Sequence, residues 1–125
     1  MKKIFIFLFM LITTSVHSVE KKTTFTNEIF LKAQKNGKIV VINSWEKTCF
    51  TCKKQIKILN QAEEDFNNIL FLSFEQTKDK DIAKFLNIEY WTTIVIYKNN
   101  KEVFRSIGET NKDKIYSKLS SLKKL

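Results

Sequence analysis

The stretch Trp45-Glu46-Lys47-Thr48-Cys49-Phe50-Thr51-Cys52-Lys53 holds the only two cysteines of the chain, three positions apart. It follows an apolar run, Ile39-Val40-Val41-Ile42, and precedes a helical pattern. A Cys-x-x-Cys pair on a strand-to-helix junction suits thiol–disulfide exchange, in which the thiolate is the nucleophile. Cys49, at the helix N-terminus, meets unpaired N–H groups and the positive end of the helix dipole, which favour a negative sulfur. Lys47, Lys53 and Lys54 add positive potential. Cys49 is therefore expected to be exposed and to attack. Cys52, one turn in, is expected to be shielded and to resolve the mixed disulfide by attacking the Cys49 sulfur.

Other uses of the pair stay open at this stage. A structural disulfide would close a very short loop and constrain little of the unfolded chain. Zinc needs four ligands, and the single histidine, His17, stands far from the pair in sequence. A metal held between two chains, or two-coordinate Cu(I), would suit the thiolates better. A thiol pair that binds or merely survives, without turnover, is the remaining alternative.

The elements that must position the pair follow from periodicity. Thr26 caps a first helix, with Phe25 folding back on Phe30, an apolar side of Ile29, Phe30 and Ala33, and Asn36-Gly37 as its end. Lys38 to Trp45 reads as a strand, continuously apolar and so covered on both faces, as in a central parallel strand. From Phe50 the period is helical, with Ile56, Leu59, Ala62 and Phe66 on one stripe and Asn67-Asn68 as the break. A strand over 69–74 follows, then a short helix with Ile82, Phe85 and Leu86 on one side, then a strand over 93–97. Lys98-Asn99-Asn100-Lys101 predicts a hairpin turn, because asparagine tolerates positive φ. Glu102 to Ile107 makes the antiparallel edge strand, and Gly108 ends it. Thr110-Asn111-Lys112-Asp113 is expected to cap a last helix with Ile115, Leu119 and Leu122 inside. Strands separated by helices demand parallel crossovers, and the final hairpin adds antiparallel pairing. The expected fold is α/β: a central mixed sheet flanked by helices.

At 125 residues and 43% hydrophobic, the chain suits one domain with a real core. Its formal charge of +9 comes from lysines spread along the whole sequence, with a single arginine, Arg105. That distribution speaks against nucleic acid, which calls for a basic stripe interleaved with arginine or aromatics. Met1-Lys2-Lys3, an apolar run over residues 4–12 and a polar stretch to Ser18 form the three parts of a secretory signal. The apolar run is too short to span a bilayer, which needs about 20 residues. Residues 1–18 are therefore expected to be a signal peptide, cleaved near Ser18, with 19–125 as the exported domain. A buried first strand, or retention of the segment as an anchor, is the alternative.

From Thr23 to Leu125 the sequence resembles the thioredoxin superfamily. Trp45 stands at the family's tryptophan four residues before the first cysteine, and Cys49 and Cys52 match the redox pair. Lys53 matches the lysine that commonly follows the pair. Residues 93–100, Thr-Ile-Val-Ile-Tyr-Lys-Asn-Asn, resemble the family's Pro-Thr-apolar-apolar-apolar-Phe-Lys-Asn-Gly segment, and Gly108 matches a glycine after the last strand. The resemblance implies the thioredoxin-like fold and a protein-disulfide oxidoreductase with Cys49 and Cys52 as its redox disulfide. It also implies substrate contacts at Trp45, Trp91 and Thr92, with no cofactor and no metal. Partners would be protein disulfide or dithiol substrates and a membrane-bound or soluble thiol electron donor, with the protein itself a monomer. With an export signal, the chain looks most like envelope proteins of disulfide interchange or cytochrome c maturation, placed in the periplasm or cell envelope. Five positions depart from the family pattern. Asn43 replaces a buried aspartate that helps deprotonate the second cysteine, and Phe50-Thr51 replaces Gly-Pro. Thr48 replaces a tryptophan. Thr92 replaces a cis-proline opposite the pair, so either Trp91–Thr92 is cis, at about 3–4 kcal/mol, or the loop is rebuilt.

Overall fold

Helix and strand alternate as the periodicities demand in the computed structural model, which describes residues 23–123. The order is α1 (Asn27–Lys35), β1 (Ile39–Trp45), α2 (Phe50–Asp65), β2 (Ile69–Glu75), α3 (Lys80–Phe85), β3 (Thr93–Lys98), β4 (Lys101–Ile107) and α4 (Lys112–Lys123). The strands form one sheet in the order β2-β1-β3-β4. β1 runs parallel to β2 and antiparallel to β3, and β3 and β4 form the hairpin. The signal-peptide segment, 1–18, lies outside the described residues.

Period-2 alternation along β1 sorts the core into two layers. Ile39 and Val41 face a cluster built from Leu59, Ala62 and Phe66 of the α2 region and Ile115, Leu119 and Leu122 of α4. Val40 and Ile42 face the opposite cluster, which holds Phe25, Phe30 and Ala33 with Ala83, Leu86 and Ile88. Helices thus cover both faces, and every residue of β1 is buried. Its continuous apolar reading has this cause.

Several local details differ from expectation. Ile29 and Phe85 are exposed, whereas Gln34 is buried. Gln34 belongs inside because its Oε1 accepts from the backbone N–H of Asn100 at 2.9 Å, which ties α1 to the hairpin turn. Phe85 keeps ring contacts with Phe25 and Phe30 along its inner edge. The cap of α4 is Asn111 rather than Thr110: Asn111 Oδ1 accepts from Lys114 N at 3.0 Å. Asparagine competes well for this role, and Glu109 Oε1 orients it by accepting from its N–H at 2.8 Å. Asn99 and Asn100 both adopt positive φ, as the two-residue turn requires.

The single arginine is structural. Arg105 donates to Leu86 O and Asn87 O, each at 2.9 Å, and pairs with Glu102 at 2.7 Å. It fastens the end of α3 to the edge strand. The other edge is covered by the chain before α1, where Thr24 N and Phe25 N donate to Ser73 O. Thr24 Oγ1 accepts from Ser73 N and Thr23 Oγ1 from Glu75 N. This segment leaves less of β2 open to pairing with another chain.

α4 is fixed to α2 by Tyr116, whose hydroxyl donates to Asp65 Oδ2 at 2.6 Å and whose ring meets Phe66 edge-on. Desolvation first, and the Asp65 carboxylate second, push the phenol up to about 12 from its ordinary 10. A raised value favours the protonated form in the folded state. Its stabilisation is whole below the unfolded value and is lost as pH climbs through the folded one. The stability gap between wild type and Tyr116→Phe should therefore shrink between pH 10 and about 12, as urea titrations would show. A gap independent of pH would sink the assignment.

Candidate active site at the strand-to-helix junction

β1 ends at Trp45, and a tight loop carries the chain into α2. Glu46 closes that loop: its carboxylate accepts from Thr48 N at 2.7 Å and from the Thr48 hydroxyl. These bonds, led by the hydroxyl, hold the Glu46 carboxyl below its ordinary value. The replacement of tryptophan by Thr48 thus has a local use, and the Glu46 carboxylate is engaged in the loop.

Cys49 is the N-cap residue of α2, in extended conformation, and its Sγ accepts from Cys52 N at 3.0 Å. The first turn of the helix therefore points a backbone donor at this sulfur, the arrangement that favours negative charge at a helix N-terminus. The two cysteines are joined as a disulfide with Cα atoms 5.2 Å apart. Cys49 is partly exposed, whereas Cys52 is 1% exposed. Cys49 is thus the outer sulfur of the pair and Cys52 the inner one.

Trp45 is buried and packs with Cys52 and Ile56. Asn43 is also buried, two residues back on the same face of β1. Trp91 lies across from the pair and is 44% exposed. With Tyr90, Thr92, Ile107, Glu89 and Thr51 it lines an open groove that reaches Cys49. Phe50, next to Cys49 in sequence, is 71% exposed and carries Lys54 over its ring.

Thr92 is where the chain departs most from the family pattern. No peptide bond among the described residues is cis, and Thr92 instead adopts φ +57. The loop is rebuilt. For a β-branched residue this left-handed conformation costs roughly 1–2 kcal/mol. Three hydrogen bonds to its backbone hold it: Thr92 N donates to Ser44 O at 3.1 Å, while Thr92 O accepts from Gly108 N at 2.9 Å and from the Gln55 side-chain Nε2 at 3.1 Å. A proline here would lack the N–H that Ser44 receives. With both backbone groups engaged internally, what Thr92 turns to the site is its hydroxyl, 3.1 Å from Cys52 Sγ and 3.4 Å from Cys49 Sγ.

Two supporting residues escaped the sequence reading. Gln55 is fully buried and bridges Thr92 O to Glu109 O, joining α2 to two loops. Its signal was its place on the stripe Cys52-Gln55-Ile56-Leu59, where a polar residue is out of pattern. Ser44 Oγ donates to Tyr90 O and anchors the groove wall to β1. Among the described residues, no group of three or more His, Cys, Asp or Glu side chains is placed to hold a metal ion.

A partly exposed sulfur at a helix N-terminus, bonded to a buried one and flanked by an apolar groove, defines a protein-disulfide oxidoreductase. The comparisons agree: the Thioredoxin family profile matches residues 16–121. A thioredoxin of Mycoplasma genitalium is 34% identical over 88 residues, covering 70% of this chain and 82% of its own. An H-type thioredoxin of Fagopyrum esculentum is 29% identical over 94 residues, covering 75% and 80%. The crystal structure of Trxlp from Edwardsiella tarda superposes with a TM-score of 0.72 at 24% identity, covering 76% of this chain and 94% of its own. The chain belongs to the thioredoxin family.

Proposed function

We propose that the protein is a disulfide reductase of the cell envelope, acting on protein disulfides in disulfide interchange or cytochrome c maturation. The observation that carries the exchange chemistry is the outer sulfur of Cys49, partly exposed beside an open apolar groove, with Cys52 buried behind it. An extended peptide bearing a disulfide would lie along Trp91 and Ile107 and bring its sulfur to Cys49. The reductase direction draws support from the relatives named thioredoxin. The compartment rests on the basic, apolar and polar sequence of residues 1–18, read as a cleaved signal. Electrons would reach the pair from a membrane-bound or soluble thiol donor, and the protein would act as a monomer.

The reduction potential of the Cys49–Cys52 couple tests the direction. A value near thioredoxin's roughly −270 mV is expected, and one near −120 mV would make the protein an oxidant instead. Cell fractionation with N-terminal sequencing tests the compartment: an envelope species lacking residues 1–18 is expected, and a cytosolic full-length chain would overturn it.

A further inference from the structure

Resolving a mixed disulfide needs a thiolate at Cys52, and burial works against one. Where the family resemblance puts a buried aspartate, the chain carries Asn43, whose amide cannot accept a proton as a carboxylate would. Across from the pair, at 3.1 Å from Cys52 Sγ and 3.4 Å from Cys49 Sγ, it carries a hydroxyl. The strained backbone that places this hydroxyl is held from β1, α2 and the end of β4 together, through Ser44, Gln55 and Gly108. The nearby carboxylates are otherwise engaged or lie outward: Glu46 is bound to Thr48, Glu75 is paired with Lys78, and Glu89 lines the groove.

We propose that Thr92 is a catalytic residue of the exchange, its hydroxyl serving as one hydrogen-bond donor shared by the two sulfurs. A hydroxyl has one proton to donate and lone pairs to accept with. In the reduced protein it donates to the Cys49 thiolate and accepts from the Cys52 thiol. The Cys49 thiolate attacks one sulfur of the partner disulfide; that S–S bond breaks, and its electron pair leaves with the other partner sulfur, which takes a proton from water. With Cys49 Sγ now bonded to the partner, its charge is gone, and the hydroxyl rotates to donate to Cys52 as that thiol gives up its proton to water. Cys52 Sγ then attacks Cys49 Sγ. The bond from Cys49 to the partner sulfur breaks, its electron pair leaves with the partner, and the partner thiolate takes a proton from water. The cysteine pair is oxidised by two electrons and the partner is reduced. Reversal of the same steps reduces the pair.

The inference rests on the exchange chemistry and on neither its compartment nor its direction. It is tested by stopped-flow reaction of the reduced protein with a disulfide-linked model peptide, following mixed-disulfide formation and resolution separately. In Thr92→Val both rate constants should fall by roughly tenfold to a hundredfold, the scale of one hydrogen bond to a charged group, while Thr92→Ser should stay within a few fold of wild type. Valine rates equal to wild type would overturn the proposal and leave the exchange reading standing. Failure of wild type to resolve any mixed disulfide would overturn the exchange reading itself. Should Thr92→Val not fold, wild type still decides. The Thr92 hydroxyl proton of the reduced protein should exchange slowly enough for NMR detection, and exchange averaged with water would overturn the shared-donor role.

Discussion

Cys52→Ser should accumulate mixed disulfides with partner proteins through Cys49, whereas Cys49→Ser should accumulate none. The asymmetry follows from exposure. A partner disulfide can reach Cys49, which opens on the groove, but not Cys52, which is 1% exposed. In Cys52→Ser the first exchange proceeds, because Cys49 keeps the backbone donor from position 52 and the helix terminus around it. The second exchange stops, because a serine hydroxyl does not displace a thiolate from a disulfide. In Cys49→Ser the outer nucleophile is missing and the buried thiol is left without access. Turnover with a protein disulfide should fall by roughly a thousandfold or more in each variant, the scale on which loss of a reacting nucleophile acts. Non-reducing electrophoresis reads the trapped species, which a reductant should release. Equal trapping by both variants would mean that the outer and inner roles are wrongly assigned.

Phe74→Ala should cost about 3–5 kcal/mol of stability, the range for emptying a fully buried aromatic site. Phe74 is wholly buried on β2, in the cluster that also holds Phe25, Phe30, Leu86 and Ile88. The rest of the cluster comes from four other segments, so no single one can collapse into the space, which places the cost high in that range. For a domain of this size the melting midpoint should drop by roughly 10 °C or more. Phe74 also pairs across β1–β2 with Ser44, the residue that anchors the groove wall. The folded fraction of Phe74→Ala should nevertheless keep its exchange rate at low temperature, since the sulfurs and Thr92 sit on the other side of β1. A midpoint within a degree or two of wild type would show that the two-layer core is misdrawn.

How much of this was legible beforehand depended on whether the signal was local. The order of elements, the capping of α1 by Thr26, the Asn99-Asn100 turn and the placement of both cysteines all follow from residues close together in sequence. The periodicity of Ile115, Leu119 and Leu122 marked the inner face of α4 without any knowledge of its partner. Interactions between distant segments were not legible. Arg105 read as a count against nucleic acid, but its role at the end of α3 depends on which strand lies beside that helix. Gln34 and Gln55 are buried for partners that are far away along the chain, Asn100, Thr92 and Glu109. Thr92 was visible as a departure from the family pattern. Its left-handed backbone was not, because that conformation is imposed by Ser44, Gln55 and Gly108 against the residue's own preference.

The groove wall has a consequence for how the protein comes into being. Cys49 and Cys52 are the only cysteines and lie three apart, so a nascent chain has one intramolecular pairing to make and no wrong one to undo. Thr92 is synthesised 40 residues after Cys52, and Ile107 later still. Until β3 has docked against β1, the sulfurs have neither the groove wall beside them nor the hydroxyl that faces them. Competence to handle another protein's disulfide therefore arrives only with completed folding. A half-made copy carries the thiols but not the tool.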